Sequence, residues 1–271
     1  ANWLRGKLPA KTAYGLTRWK NVLMGMFFYR MARSRPDKVK EKMVGLVRDE
    51  LGPDYDVATH FTPRYNPWDQ RVCLVPDADL FASLKDGSSE VVTGQIDRFD
   101  AGGIALTDGR HVDADIIVTA TGLDLQVFSN IAVTIDGRPH DLTQELIYRG
   151  MMLSGVPNFA FTFGYTNASW TLKADLVSGY VCRLLNTMKK RGMRQATPTL
   201  DRTNVKADDF VDFSSGYIQR AQGKLPKQGD RKPWRLNQNY ALDIVALRYG
   251  SMDVAMEYSN PVKAARSKKA A

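Results

Sequence analysis

The chain has 271 residues, of which 44% are hydrophobic and 25% are charged. This length can bury a sizeable core in one or two domains. The composition is that of an ordinary globular protein and excludes a disordered tail, a collagen-like repeat and a disulfide scaffold. Cys73 and Cys182 form no CxxC pair, so we expect no metal site, and a reducing compartment is favoured.

The positive charge is concentrated at the two ends of the chain. Residues 1–48 carry 12 basic and 2 acidic side chains, and the last 11 residues carry 4 basic and no acidic ones. The 212 residues between them carry 22 basic and 27 acidic groups, a net charge of −5. Nucleic-acid binders usually have a basic face on the folded body, so we expect no nucleic-acid partner.

Residues 17–48 show apolar side chains at helical spacing, with an interruption at Pro36. One interpretation is a helix packed on the core through Trp19, Val22, Leu23, Met26, Phe27 and Met31. The other is a basic helix over residues 17–35 that lies on a membrane surface. No apolar run approaches the roughly 20 residues needed to span a bilayer. The predicted location is therefore cytoplasmic, with possible peripheral contact at the inner face of the cell membrane.

The middle of the chain begins with an irregular, proline-rich segment from Gly52 to Pro76. A short helix over Asp79–Lys85 and a strand over Glu90–Phe99 follow. Asp108-Gly109 then lies between two extended runs, 103–107 and 110–112. This pattern predicts a hairpin with a type I′ turn.

Two later segments predict buried strands that end at small residues. Asp115–Thr119 is rich in β-branched residues and leads into Ala120, Thr121 and Gly122, and Asn158–Phe163 ends at Gly164. A helix capped by Thr166 or Asn167 would then run to Arg191 and end at Gly192. The order of strand, glycine, cap and helix predicts an α/β fold.

Beyond residue 194 the pattern weakens. We expect one helix near Ala207–Gln222, another near Tyr240–Arg248, and a polar loop over Gly223–Lys232 between them.

Several catalytic signatures are absent from the sequence. It has no GxSxG, no HExxH and no P-loop, and no two of its 21 glycines are two positions apart, so GxGxxG cannot occur. Two other segments can carry chemistry. In residues 60–71, HFTPRYNPWDQR, prolines would fix a loop that holds a permanent cation near a developing anion. The alternative is a rigid linker in which Arg64 or Arg71 pairs with Asp69.

The second segment is DIIVTATG at residues 115–122. Small residues just after a buried strand let the backbone approach a ligand closely. An ordinary strand-to-loop turn is the alternative.

Together, these segments and GMMLSGVPNFAFTFGYTNASWTLKADLV at residues 150–177 resemble the class B flavoprotein monooxygenases, which include Baeyer–Villiger enzymes. The resemblance covers roughly residues 1–190. It implies an FAD- and NADPH-dependent enzyme that inserts one oxygen atom of O₂ into ketones, or adds it to the sulfur of thioamides and sulfides, through a C4a-peroxyflavin.

The resemblance also implies residue roles. Arg71 matches an arginine that stabilises the oxygenating anion, with Gln70 beside it. Ala120, Thr121 and Gly122 match a turn near FAD, and Asn167 precedes a helix directed at the flavin ring. The implied division is a helical remainder of an NADPH-binding domain (1–58), an active-site linker (59–76), the carboxyl-terminal part of an FAD-binding domain (77–194) and an extension with a basic tail (195–271).

Three signatures of the family are missing: two GxGxxG loops and FxGxxxHxxxWP. The fold expected is thus a partial three-layer flavoprotein with two dinucleotide domains that lacks its amino-terminal Rossmann strands, either as a fragment or as a truncated gene. Such a chain should bind FAD poorly alone. An amino-terminal half is a possible partner, and a catalytically inactive remnant is the alternative to an enzyme.

Overall fold

A computed structural model describes residues 2–73, 75–126, 128, 131–211 and 213–261. The basic tail, with Lys263 and Lys269, lies outside the described residues. Contacts divide the chain into two units of mixed helix and strand. The first unit contains the described residues of Ala1–Met26, Asp124–Asp212 and Tyr217–Ala271, and the second contains those of Phe27–Leu123 and Phe213–Gly216.

The α-helices are numbered in chain order. They are α1 (Asn2–Lys7), α2 (Ala10–Ser34), α3 (Pro36–Leu51), α4 (Val57–His60), α5 (Asp79–Lys85), α6 (Trp170–Arg191), α7 (Gly216–Ala221) and α8 (Tyr240–Ile244). A π-helical turn, Val245–Tyr249, follows α8 directly.

The strands are short, and the pairs named here are antiparallel. The second unit contains a β1-β2-β3 sheet made of Ile96–Asp100, Gly103–Leu106 and His111–Asp113. The first unit contains the pairs β4-β5 (Val133–Ile135, Arg138–His140), β6-β7 (Ile147–Tyr148, Met152–Leu153), β8-β11 (Gln195–Pro198, Met256–Ser259) and β9-β10 (Ala207–Asp208, Gln228–Gly229). The predicted two-dinucleotide-domain architecture stays a prediction.

Helices α2 and α3 confirm the helical pattern predicted for residues 17–48 and its break at Pro36. α3 begins at Pro36, which lacks an N–H that the first turn would leave unpaired. The predicted packing of α2 is partly wrong, because Trp19, Leu23 and Phe27 are 46%, 59% and 62% exposed. No helix among the described residues is long and apolar enough to cross a membrane.

The predicted hairpin forms, but its turn differs from the expected type. The amide N–H groups of Gly109 and Leu106 donate to the carbonyls of Leu106 and Arg110, at 3.1 and 2.9 Å. Gly109 has a φ of +88°, whereas Asp108 has no positive φ. The loop is therefore a three-residue loop with glycine in the left-handed region, and a type I′ turn, which needs positive φ at both central residues, is excluded.

Two predicted strands do not form. Residues 115–119 and 158–163 have no regular structure, and Ile116 and Val118 are 83% and 84% exposed. A β-branched run becomes a strand only when a neighbouring strand supplies partners for its backbone groups. Among the described residues, none provides such a ladder for residues 115–119.

The core of the first unit is built around α6. This helix ends at Gly192, whose φ is +64°, as the sequence predicted. Its buried face packs in one hydrophobic cluster with residues from the second half of the chain, including Trp234 and Leu247. The buried apolar side chains of the helix are Leu172, Leu176, Val177, Tyr180, Leu184 and Met188. Leu185, next to Leu184 in the sequence, lies off this face and is 58% exposed.

Two corrections concern the region beyond residue 194. The helix predicted near Ala207–Gln222 is reduced to Gly216–Ala221, because Ala207 and Asp208 pair with Gly229 and Gln228 as strands. The helix predicted near Tyr240–Arg248 is α-helical only to Ile244 and then becomes the π-helical turn.

Candidate active site

The loop at residues 60–71 is held by contacts within the second unit. Asp69 accepts a hydrogen bond from Arg33 at 2.7 Å and another from the backbone N–H of Asn66 at 3.1 Å. The Trp68 ring meets the Tyr29 ring edge-on, with 5.4 Å between their centroids. The predicted pairing of Asp69 with Arg64 or Arg71 is wrong, because the partner of its carboxylate is Arg33.

The backbone of this loop is fixed at the same place. Trp68 has a φ of +71°, a conformation that is rare for residues other than glycine and is kept only where surrounding contacts impose it. The backbone N–H and the hydroxyl of Ser214 both donate to the Asp69 carbonyl, at 3.0 and 3.1 Å. Hydrogen bonds therefore hold both the backbone and the side chain of Asp69, the residue before Gln70.

Arg71 is the last residue of this loop, and its side chain is exposed. Its guanidinium forms no hydrogen bond or ion pair with any residue that the structure describes. Gln70 is half-buried and forms an isolated backbone bridge with Pro67. A free, permanently charged guanidinium that follows an ordered loop is able to bind an anion. The roles of both residues stay predictions.

Ala120, Thr121 and Gly122 lie in an exposed, irregular stretch of the second unit. Gly122 has a φ of +105°. The backbone groups of residues 115–123 form no hydrogen bonds within the described parts of the chain. Likewise, no hydrogen bond joins these residues to Arg71 or Gln70 in the described part of that unit. The segment therefore offers a run of free backbone donors and acceptors.

The amino-terminal end of α6 belongs to the first unit. The predicted cap is wrong: the cap residue is Ser169, and its side chain makes no capping hydrogen bond. Asn167 instead donates its side-chain amide to the carbonyl of Gln238 at 3.0 Å, and the N–H of Thr166 donates to the Gln238 side chain at 3.1 Å. The first turn of α6 has no acidic residue, so the positive end of the helix is not offset locally.

Gly164 lies just before α6, and its backbone is in close contact with the Trp170 side chain in the first turn of that helix. A Cβ on this residue would lie 2.0 Å from the indole Cγ of Trp170, which excludes any side chain while Trp170 keeps its position. The Trp170 ring also packs on Phe163 at 5.1 Å between centroids, and Phe163 packs on Phe210 at 4.6 Å. The sequence predicted only that a strand ends at this glycine, whereas the structure shows that the Trp170 side chain lies against its backbone.

Each unit carries, by itself, groups of a kind that bind anions. In the second unit these are the free guanidinium of Arg71 and the unpaired backbone of residues 115–123, and in the first unit the uncapped amino-terminal end of α6. The glycine loop that binds a dinucleotide diphosphate is not in this sequence. Within the described residues, no three His, Cys, Asp or Glu side chains are grouped to hold a metal ion.

Sequence reasoning missed a buried polar cluster in the first unit. Asp243 accepts hydrogen bonds from Lys173 at 2.7 Å, from the Tyr165 hydroxyl at 2.7 Å and from Asn237 at 2.8 Å. Burial, reinforced by the charge of Asp243, raises the pKa of Tyr165 well above its usual value. One sequence signal could have indicated this cluster. Lys173 lies four residues before Val177, so the two share one face of α6, and a lysine on an apolar helix face needs a buried partner.

The sequence is similar to those of several curated proteins. The chain is 51% identical over 246 residues to FAD-containing monooxygenase EthA of Mycobacterium tuberculosis. The resemblance is confirmed: this chain is similar to FAD-containing monooxygenases. It is also 44% identical over 251 residues to the probable FAD-binding monooxygenase AlmA of Acinetobacter baylyi, and 40% identical over 248 residues to the putative FAD-containing monooxygenase MymA of Mycobacterium tuberculosis.

These matches cover 91–92% of this chain but about 50% of each relative. The chain therefore spans about half the length of the curated FAD-containing monooxygenases that it matches. No protein-family model matches the chain. No solved structure matches it either.

Proposed function

We propose that this chain is part of an FAD- and NADPH-dependent monooxygenase that acts on ketones by Baeyer–Villiger insertion or on the sulfur of thioamides and sulfides. The observation that carries the proposal is 51% identity to an FAD-containing monooxygenase over 246 residues. The balanced reaction consumes the ketone or sulfur compound, O₂, NADPH and a proton. It yields the oxygenated product, NADP⁺ and water.

Bound FAD, reduced by NADPH, supplies the activation of O₂ in such a reaction. In this proposal, Arg71 contributes a fixed positive charge that stabilises the anion formed before oxygen transfer. A single preorganised donor of this kind is typically worth about 3–4 kcal/mol of barrier. The contacts of Asp69 with Arg33 and Asn66 order the loop before Arg71 and thereby limit where its guanidinium can reach.

The other groups would bind rather than react. The backbone of Ala120, Thr121 and Gly122 would lie against FAD, with Gln70 beside Arg71 at the nicotinamide or flavin. The amino-terminal end of α6 would favour a negative flavin ring. Asn167 would act indirectly, because its amide bond to Gln238 holds the turn that precedes the helix.

The exposed segment 115–119 supports an amino-terminal half as partner. Its backbone is unpaired, and Ile116 and Val118 are more than four-fifths exposed. We propose that strands supplied by the remaining half of the monooxygenase pair with this segment and bury both side chains. FAD would then bind tightly only to the assembled protein.

Co-expression with the complementary half of the Mycobacterium tuberculosis relative tests the proposal. The expected complex is yellow, retains FAD on gel filtration and oxidises NADPH with formation of an ester or sulfoxide. Arg71→Ala should keep FAD bound and lower the rate of product formation by about 10²–10³-fold. Arg64→Ala is the matched control, since Arg64 is an exposed arginine of the same loop. Unchanged product formation by the Arg71→Ala complex would refute the assigned role.

An inactive remnant is the second candidate. The unpaired backbone of residues 115–123 is consistent with it as well, since none of the described residues supplies strand partners there. Its prediction is that no complementary half restores FAD retention or NADPH oxidation. A complex that turns over would exclude it.

Peripheral membrane contact through α2 is favoured by one observation. Trp19, Phe27 and Phe28 are 46%, 62% and 51% exposed on a helix that also carries Lys20 and Arg30. Sedimentation with anionic vesicles at low salt would support this contact, and its absence there would exclude it.

A further inference from the structure

A cavity of about 400 Å³ lies within the first unit, between the segment that follows β10 and residues 242–254, which include the end of α8, the π-helical turn and the loop after it. Small-molecule sites commonly occupy about 300–1,000 Å³ and have largely apolar walls. The walls of this cavity are formed mainly by Leu236, Leu242, Val245, Leu247 and Val254. It is therefore large enough and apolar enough for the hydrocarbon part of a small ligand.

The charged residues around the cavity are mostly basic. Four cationic side chains line it, namely Arg149, Lys173, Lys232 and Arg235, against one carboxylate, that of Asp243. Lys173 and Asp243 form an ion pair, with 2.7 Å between Nζ and Oδ2. Each of the three nitrogens of the Arg149 guanidinium already donates a hydrogen bond, to the carbonyls of Ala246 and Ser251 at 2.5 and 3.0 Å and to the Tyr148 hydroxyl at 3.0 Å.

Lys232 and Arg235 differ from these groups. Both are exposed, and neither side chain has a hydrogen bond or ion pair with any described residue. An apolar cavity with two free cations at its edge is complementary to a molecule that has an apolar body and an anionic end. A carboxylate fits these charges, whereas a cationic or neutral polar head does not.

The cavity wall is fixed before any ligand binds. The π-helical turn Val245–Tyr249 leaves carbonyls that α-helical bonding would use, and arginines occupy them. Arg149 donates to the Ala246 carbonyl, while Arg183 donates to the carbonyl of Leu247 at 2.6 Å and to that of Gly250, the residue after the turn, at 3.0 Å. π-helical turns are frequent at functional sites, and a preformed wall reduces the entropy that a ligand must lose on binding.

We propose that this cavity binds a medium-chain carboxylate, with the chain against Leu242 and Val245 and the carboxylate between Lys232 and Arg235. The site requires only residues of the first unit and does not depend on flavin chemistry.

Titration of the 271-residue protein with decanoate, followed by calorimetry at low salt, tests the proposal. The Lys232→Glu/Arg235→Glu variant should bind decanoate about tenfold more weakly, because two attractive charges become repulsive. Lys11→Glu/Lys20→Glu is the matched control: it changes the net charge equally at exposed lysines of α2 that have no ion pair with a described residue. This control should bind decanoate with nearly the wild-type affinity.

A second pair of measurements tests the apolar wall. Leu242→Asn/Val245→Asn should weaken both decanoate and decanol, whereas the charge variant should weaken decanoate alone. Leu242 and Val245 are 49% and 62% exposed, so these substitutions should leave the fold intact, which circular dichroism verifies. Methyl chemical shifts of the wild-type protein should change at both residues when decanoate is added.

Three results would overturn the proposal. The first is the absence of decanoate binding to the wild-type protein. The second is equal affinity of the wild-type protein and the Lys232→Glu/Arg235→Glu variant. The third is an equal loss in the Lys11→Glu/Lys20→Glu control, which would show that net charge and not this cavity governs binding.

Discussion

The Nζ atom of Lys173 lies 2.7 Å from Oδ2 of Asp243, and only 5% and 4% of the two side chains are exposed. Two opposite charges are therefore buried together in the core of the first unit. Removal of one partner from such a pair leaves an uncompensated charge away from water, which is much more costly than the loss of a surface pair.

Lys173→Met should consequently lower the free energy of unfolding by about 3–5 kcal/mol. Urea denaturation followed by circular dichroism measures this loss. Arg191→Met is the control, because its partner Asp253 is 58% exposed, and it should cost about 1 kcal/mol or less. Equal losses in the two variants would contradict a specific role for burial.

Gly109 and Gly45 should respond to alanine in opposite directions. Gly109 has a φ of +88° in the hairpin, whereas Gly45 is within α3, and neither position has an atom within 4 Å of an added Cβ. Gly109→Ala should destabilise the protein by about 1–2 kcal/mol through backbone strain. Gly45→Ala should stabilise it by about 0.5–1 kcal/mol. Thermal unfolding of both variants checks the signs, and stabilisation by Gly109→Ala would contradict the turn geometry.

The imidazole of His111, on β3, lies between two carboxylates, that of Asp100 on β1 and that of Asp113 on β3. Its ring nitrogens lie 3.0 Å from Oδ1 of Asp100 and 2.9 Å from Oδ1 of Asp113. The bond to Asp100 and then that to Asp113 raise the pKa of His111 above its ordinary value of 6.5. The bond to His111 correspondingly lowers the pKa of Asp100.

The raised pKa means that the protonated imidazole stabilises the folded state. This contribution is fully present below pH 6.5, the ordinary pKa of His111, and is lost as the pH rises through the folded-state value. NMR titration of the His111 ring should therefore show a pKa above 6.5, and Asp100→Asn should lower it. Asp86→Asn, at a carboxylate bonded to Ser88, should leave it unchanged.

Asp69 is expected to order the loop that leads to Arg71. Asp69→Ala removes the bonds from Arg33 and from the N–H of Asn66, so the Asn66 amide should exchange its hydrogen faster. The loss in global stability should be only about 1 kcal/mol, since these groups are partly exposed. Asp54→Ala, at an exposed aspartate outside these contacts, should not affect exchange at Asn66. Unchanged exchange at Asn66 in Asp69→Ala would refute the ordering role.

The helices could be predicted from the sequence because a helix satisfies most of its backbone hydrogen bonds within itself. The break at Pro36, the helix Asp79–Lys85 and the end of α6 at Gly192 each follow from residues that lie close in sequence. The hairpin at Asp108-Gly109 was predictable for the same reason. Its exact turn type was not, since that depended on the φ of Asp108.

The strands at 115–119 and 158–163 could not be decided in this way. Their β-branched and aromatic residues favour an extended chain, but a strand also needs partners from elsewhere in the chain, and the described residues supply none for 115–119. The same limit applied to Asp69. Its proximity to Arg64 and Arg71 in sequence suggested one partner, whereas the folded chain supplies Arg33, 36 residues away.

The sequence by itself determined the similarity to FAD-containing monooxygenases, the positions of the long helices α2, α3 and α6, and the place of the hairpin at Asp108-Gly109, because these depend on residue identity and local spacing. Only the tertiary structure decided the partners of charged groups. The burial of Lys173 against Asp243, the free guanidinium of Arg71 and the two unpaired cations at the cavity edge are all set by long-range packing. Charge pairing depends on distances between side chains, and only the folded chain fixes those distances.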